Sequence, residues 1–135
     1  MRLRGPRTRC GQDPDSEVSE DQADCLFCRI VAGELPSQVV STSDRSFAFR
    51  DLYPQAPTHV LVVPRRHIDD AAAVFASDAE DVVDLLVLAR EVAESEGIRD
   101  SGYRLVFNVG EDAQNSIGHL HLHVIGGRSL GGPPS

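Results

Sequence analysis

The sequence predicts an α+β domain in which a five-stranded antiparallel sheet is combined with one long and one short helix. Two segments place apolar residues at helical spacing. Short links join most of the successive strand segments, which favours antiparallel pairing. Five segments carry the β-branched or period-two pattern of strands, at residues 38–42, 45–51, 59–63, 103–109 and 119–125.

Capping signals delimit the two helices. The short helix follows Asp24, a residue type that caps helix N-termini, and stops at Gly33. The long helix is predicted to begin at Ser77, with Glu80 completing a capping box, and to end at Gly97. Its apolar stripe would face a core while its acidic residues stay in solvent.

The two chain ends differ in composition from the rest. Residues 1–24 hold a basic block followed by an acidic block, with few apolar side chains, so we expect a disordered tail. Residues 129–135 form a Gly/Pro-rich C-terminal tail. One folded domain is therefore expected over residues 25–128, which suits a chain of 135 residues.

Charge and composition exclude several classes of function. The formal net charge is −8, so nucleic acid and acidic membrane surfaces are not expected partners. All 13 basic residues are arginine, and the chain thus lacks the lysine of Schiff-base enzymes and P-loops. No apolar window is long enough to span a membrane, and no apolar segment follows the basic N-terminal residues, so we do not expect a secretory signal. We expect a cytoplasmic protein with reduced thiols.

Three histidines alternate with apolar residues in the last predicted strand. Period-two alternation places His119, His121 and His123 on one face, with successive rings roughly 6.6 Å apart. His59 begins the neighbouring β-branched segment and can converge on the same region. Since imidazole both transfers protons and attacks as a neutral nucleophile near neutral pH, this row indicates a catalytic site.

The segment from Gly118 to Ile125 resembles the signature of the histidine-triad (HIT) superfamily. Segments 25–37, 48–52, 57–68, 103–110 and 126–128 resemble its Hint branch in the same order. The resemblance covers residues 25 to about 128 and implies the HIT-like fold, with two sheets joined in a homodimer. The apolar residues of the long helix and of 103–109, which one small sheet cannot cover, favour the same dimer.

The resemblance implies a hydrolase or transferase that cleaves purine nucleoside phosphoramidates or related AMP conjugates. Because the family's middle histidine attacks the α-phosphorus, His121 is the implied nucleophile of a nucleotidyl-histidine intermediate. His119, His123 and His59 are implied to orient it or to contact the phosphate, and Ser116 to donate a hydrogen bond. The remaining implied contacts are Asp51 to the ribose, Phe49 and Leu52 around the base, Asn108 near the phosphate, and Asn115 and Ile117 beside Ser116.

The chain departs from the Hint pattern in two places. The branch usually carries Gly-Gly-Gln-Ser-Val before the triad, whereas this chain has Ala113-Gln-Asn-Ser-Ile. Loss of both glycines is expected to stiffen a loop whose backbone approaches phosphate. The C-terminal tail also lacks the Trp that many Hint proteins carry there.

The pair Cys25-x-x-Cys28 has the spacing of metal ligands, and a tetrahedral zinc needs two more. His67 and His119 are the available candidates, and the resemblance to bacterial zinc-binding members implies the same four residues. Such a zinc would be structural, since the chemistry itself needs no cofactor. A redox-active pair and two semi-buried thiols are the alternatives.

Three other functions are compatible with these features. A dinucleoside polyphosphate hydrolase would use the same triad, although Ser116 and the cysteine pair favour the Hint branch. A metallohydrolase would bind its metal through His119 and His121, but the sequence offers no acidic third ligand near them. A non-catalytic, zinc-stapled nucleotide-binding or interaction module would keep the fold and bind without turnover.

Overall fold

The computed structural model describes residues 25–131. The predicted N-terminal tail with Asp24, and residues 132–135, lie outside the described part. Within it, neither helix has the length and apolar character to span a membrane. In chain order the elements are α1 (Leu26–Val31), β1 (Val39–Thr42), β2 (Ser46–Arg50), β3 (Thr58–Pro64), α2 (Ala79–Ser95), β4 (Tyr103–Val106) and β5 (Leu122–Gly126), with 3₁₀ turns at Ala71–Ala73, Ala76–Asp78 and Glu111–Ala113.

The five strands form one antiparallel sheet in the order β1-β2-β3-β5-β4, which confirms the predicted fold class. β3 lies at the centre, and all of its residues are buried. Its run of apolar, β-branched residues suits a strand that is covered on both faces. β1 and β4 form the two edges of the sheet.

The two faces of the sheet support different structures. α2 packs on one face, over a core that includes Val60, Val62, Leu85, Leu88, Val92, Leu122 and Val124. α1 packs on the other face, over Phe49, Leu61 and Val63. Since Leu61 pairs with His123 in the β3–β5 register, the triad histidines lie on the α1 face.

α1 does not begin with the predicted cap. Its N-cap is Cys25, whose Sγ accepts a hydrogen bond from the backbone N–H of Cys28 at 3.3 Å. The prediction of Asp24 as N-cap is therefore wrong. The same side chain that the sequence suggests as a metal ligand thus also starts the helix.

The start of α2 also differs from the prediction. A 3₁₀ turn over Ala76–Asp78 leads into the helix, and the carboxylate of Asp78 accepts from the backbone N–H of Phe75 at 2.8 Å. The predicted capping box of Ser77 and Glu80 is therefore wrong. Asp78 is buried and paired with Arg66, a tertiary contact that the local sequence does not reveal.

Two strands are shorter than predicted. β4 ends three residues before Val109, and β5 begins three residues after His119. The backbone N–H of Leu120 donates to the carbonyl oxygen of Ile68 at 2.6 Å. The chain before Leu122 is therefore bonded to the loop after β3 rather than to a sheet neighbour.

Candidate active site

The three triad histidines occupy one face of the chain, as the alternation predicts. His119 is fully buried, His121 is buried, and His123 is half-buried. The ring centroids of His121 and His123 lie 5.1 Å apart, less than the roughly 6.6 Å expected along a regular strand. Two imidazoles at this separation can contact a single bound phosphoryl group.

One hydrogen bond determines which nitrogen of His121 can react. Its Nδ1 lies 2.8 Å from the backbone carbonyl oxygen of His119, and a carbonyl oxygen only accepts hydrogen bonds. Nδ1 therefore carries the proton, and Nε2 of the neutral ring keeps an unshared electron pair. Phe27 packs edge-on against the ring, with centroids 5.2 Å apart, and restricts its orientation.

Asp51, His59 and His123 form a hydrogen-bonded row beside His121. The backbone N–H of Gln55 donates to Nδ1 of His59 at 3.0 Å, so the proton of neutral His59 is on Nε2. That nitrogen lies 2.9 Å from Nδ1 of His123 and 3.4 Å from the Asp51 carboxylate. Because Nε2–H of His59 donates to Nδ1 of His123, the proton of neutral His123 is on its Nε2. Burial lowers the pKa of His59 and lowers that of His123 to about 4, so both rings are neutral near neutral pH.

A cavity of about 190 Å³ opens over His121. The side-chain amide of Asn108 is 3.5 Å from Nε2 of His123 at its wall. The cavity combines a carboxylate and amide and hydroxyl groups with apolar surface, a mixture that suits a small polar ligand. The structure brings together at its walls the predicted residues Asp51, Asn108, Asn115, Ser116, Ile117, His121 and His123.

The structure does not bring Phe49 and Leu52 into this cavity. Phe49 is 4% exposed and packs behind the wall against Phe27, with ring centroids 5.3 Å apart. Leu52 is 85% exposed. The placement of the substrate's purine base between Phe49 and Leu52 therefore stays a prediction.

Three cavity-lining residues were not identified from the sequence: Phe27, Leu61 and Gln114. Phe27 and Leu61 sit in apolar runs, where a sequence pattern cannot separate a wall residue from a core residue. Gln114 could have been identified from the sequence, because it stands where the Hint pattern has a glycine.

Gln114 is the single non-glycine residue with positive φ within residues 25–131, at φ +60°. It closes the 3₁₀ turn Glu111–Ala113, and the N–H of Asn115 then donates to the carbonyl oxygen of Gly110 at 3.1 Å. This left-handed conformation costs a residue with a Cβ about 1–2 kcal/mol. Gln114, which stands where the Hint pattern has a glycine, therefore holds a strained backbone conformation in the wall of the cavity.

The four predicted zinc ligands converge beside the triad. Cys25, Cys28, His67 and His119 offer ligand atoms that all lie within 4.8 Å of one another. Sγ of Cys25 is 3.2 Å from Nδ1 of His119, and Sγ of Cys28 is 3.3 Å from Nδ1 of His67. These separations lie at the short end of the roughly 3.3–3.8 Å between ligands of a tetrahedral zinc, whose bonds are about 2.0–2.3 Å long, so small adjustments would admit the ion.

The histidine tautomers suit metal binding as well. Nε2 of His119 donates to the carbonyl oxygen of Pro64 at 2.9 Å, and Nε2 of His67 lies 2.9 Å from the Asp69 carboxylate. Each Nδ1 therefore presents its unshared pair toward the sulfur atoms, and each ring is oriented by its other nitrogen. Burial lowers the pKa of His119 to about 3, which keeps the ring neutral.

Cys25 is a buried thiol, and burial raises its pKa. Zinc would bind both cysteines as thiolates, because the thiolate is the form that binds the metal.

Comparison with known proteins assigns the family. The HIT domain family model matches residues 32–130, and the chain belongs to the HIT family. Over 106 residues it is 39% identical to the purine nucleoside phosphoramidase of Escherichia coli strain K12, an alignment that covers 78% of this chain and 89% of that protein. The chain is thus a HIT-family hydrolase.

Solved structures agree with this assignment. A HIT family hydrolase from Legionella pneumophila Philadelphia 1 is 44% identical, with a TM-score of 0.81 and coverage of 83% of this chain and 100% of that one. A histidine triad protein from Clostridium difficile is 37% identical, with a TM-score of 0.79 and coverage of 82% and 96%. The likeness extends over nearly the full length of both relatives.

Proposed function

We propose that this hydrolase cleaves purine nucleoside phosphoramidates through a nucleotidyl intermediate on His121. The observation that carries the proposal is the hydrogen bond from Nδ1 of His121 to the carbonyl oxygen of His119. It leaves the unshared pair on Nε2, in a residue that lines the cavity. The 39% identical phosphoramidase from Escherichia coli supports the same chemistry.

The reaction divides one displacement into two. Nε2 of His121 attacks the α-phosphorus, the P–N bond breaks, and the amine leaves with a proton that the Ser116 hydroxyl can donate. Water then attacks the phosphorus and gives its proton to the Ser116 oxygen, the bond to Nε2 breaks, and the nucleoside monophosphate is released. A neutral imidazole attacks without prior deprotonation, and the covalent step replaces one difficult displacement with two easier ones.

The other residues bind and orient the substrate. Nε2–H of His123, aligned by His59, would donate to a phosphoryl oxygen, and Asn108 would contact the same group. Asp51 would accept from the ribose hydroxyls, as a carboxylate can do bidentately. The apolar wall that includes Ile117 would face the base, with Asn115 beside it.

We further propose a structural zinc at the four-ligand cluster of Cys25, Cys28, His67 and His119. When bound, zinc would supply a crosslink between α1, the loop after β3 and the start of the triad segment. The carbonyl oxygen of His119 accepts from His121, so holding His119 would also hold the tautomer of His121.

A second copy of this chain is the proposed partner. Within residues 25–131, β4 is an edge strand of the sheet. Leu105 on β4, Phe107 and Val109 beyond it, and Val83 and Leu86 on α2 are exposed. Exposed apolar side chains on an open edge favour pairing with another chain.

A substrate comparison tests the proposed function. Single-turnover hydrolysis of adenosine 5′-phosphoramidate should exceed that of diadenosine tetraphosphate. Preferential cleavage of the tetraphosphate would assign the chain to the polyphosphate-cleaving branch. Binding of AMP without turnover of either compound would identify a non-catalytic module.

A further inference from the structure

A second cavity, of about 470 Å³, adjoins the first. The two share Asn108, Gln114 and His123 in their walls. The second is also lined by Arg104 and Arg128. A molecule whose phosphorus lies at His121 can therefore extend from one cavity past this shared wall into the other.

The sheet register places one arginine at a defined distance from the row of histidines. Ile125 pairs with His59 on β3 and with Arg104 on β4, so these three residues share one face across neighbouring strands. At about 4.8 Å per strand, the backbone of Arg104 lies roughly 10 Å from that of His59. An arginine side chain spans much of that gap.

The charge of this second cavity is unusual for the molecule. Its described walls contain two arginines and no carboxylate, although the chain has a net charge of −8. Five other arginines are paired with acidic side chains: Arg29, Arg45, Arg50, Arg66 and Arg99.

The two cavity arginines have different partners from these five. Within residues 25–131, Arg104 donates to the carbonyl oxygen of Gly131 at 3.1 Å, and Arg128 donates to the carbonyl oxygens of Gln55 and Ser129. No carboxylate of the described chain neutralises either guanidinium. Both thus retain charge for an external anion.

We propose that the second cavity binds the leaving group and selects amines that carry an acidic group. The inference rests on the proposed function, because it assigns the nucleoside to the cavity with Asp51 and the amine to the cavity with Arg104. The P–N bond breaks as in the general reaction, and the acidic group takes no part in bond making. Its interaction with the guanidinium groups lowers the barrier by binding and orienting the amine.

The test compares two substrates that differ only in charge. They are the adenosine 5′-phosphoramidates of β-alanine and of β-alanine amide. The kcat/KM ratio of acid to amide should be at least about 10 and should fall as ionic strength rises, since salt screens the interaction. Arg104→Gln and, separately, Arg128→Gln should each lower this ratio several-fold.

Arg90→Gln is the matched control. Arg90 is exposed on α2, the helix that packs on the opposite face of the sheet, so the same loss of charge should leave the ratio unchanged. Equal hydrolysis of acid and amide by the wild type would overturn the subsite while leaving the proposed function intact. Hydrolysis of neither compound, nor of unsubstituted adenosine 5′-phosphoramidate, would overturn both.

Discussion

The backbone carbonyl oxygen of His119 lies 2.8 Å from Nδ1 of His121. His119 also points its own Nδ1 at the sulfur of Cys25, 3.2 Å away. One residue therefore links the candidate metal cluster to the candidate nucleophile, through its side chain on one side and its backbone on the other. Disturbance of the cluster should reach His121 through this residue.

Replacement of the proposed nucleophile should have the largest effect on activity. His121→Ala is expected to lower kcat by several powers of ten while AMP still binds, because the proposed contacts of Asp51 and Asn108 to the nucleotide do not depend on His121. His123→Ala should cost less, since it orients and does not bond. Alkaline quenching of the wild type with a radiolabelled AMP donor should trap label on His121, because a phosphoramidate linkage is stable to base and labile to acid. Label on another histidine, or a tenth of the activity in His121→Ala, would refute the assignment.

Metal analysis tests the four-ligand cluster. Protein purified under reducing conditions without chelator should contain about one zinc per chain. Cys28→Ser should lose the metal and several degrees of melting temperature, with a smaller effect on intrinsic turnover. Cys10→Ser, which retains all four ligands, is the control and should keep its zinc. Absence of zinc from the reduced wild type would leave the cysteines as packed thiols.

Stability should depend on pH through His123. Its pKa in the folded protein is about 4, below the value of about 6.5 expected for the unfolded chain. Between these values the unfolded chain binds more protons, so the free energy of unfolding rises with pH and is lost as pH falls from 6.5 toward 4. His123→Asn should flatten this rise by an amount on the order of 1 kcal/mol in urea titrations. If the free energy of unfolding has the same slope against pH in variant and wild type, His123 is not the cause of the dependence.

The strain at Gln114 predicts an unusual response to glycine. Gln114→Gly relieves about 1–2 kcal/mol of left-handed strain against a loss of roughly 0.5–1 kcal/mol from greater freedom of the unfolded chain. The variant should be as stable as the wild type, or up to about 1.5 kcal/mol more stable. Ala113→Gly, one residue earlier in the 3₁₀ turn, should destabilise. If both variants lose the same amount of unfolding free energy, the positive φ of Gln114 does not destabilise the folded protein.

The proposed dimer can be tested with an acidic residue on each edge of the sheet. Leu105→Glu on β4 should convert a dimer to a monomer in light scattering at micromolar concentration, because it places a charge in the proposed interface. Val39→Glu introduces the same charge at an exposed position of the opposite edge strand and should remain dimeric. If the wild type is a monomer in the same measurement, the proposed dimer interface is wrong.

Several features of the molecule could be predicted from the sequence because they depend on local periodicity. The five strands, both helices and the division of the triad segment into a histidine face and an apolar face follow from spacing alone. The zinc ligands could also be proposed, since their residue types are rare and their spacing is specific.

The tertiary structure decided the features that depend on contacts between distant segments. The start of α2 depends on Asp78, which is paired with Arg66 from the loop after β3. The protonated nitrogen of His59 depends on a backbone N–H at Gln55, and the second cavity depends on strands that register brings together. Periodicity reports which face a side chain occupies. It carries no information about which distant atom that side chain meets, and hydrogen-bond direction, cavity shape and local charge all depend on that atom.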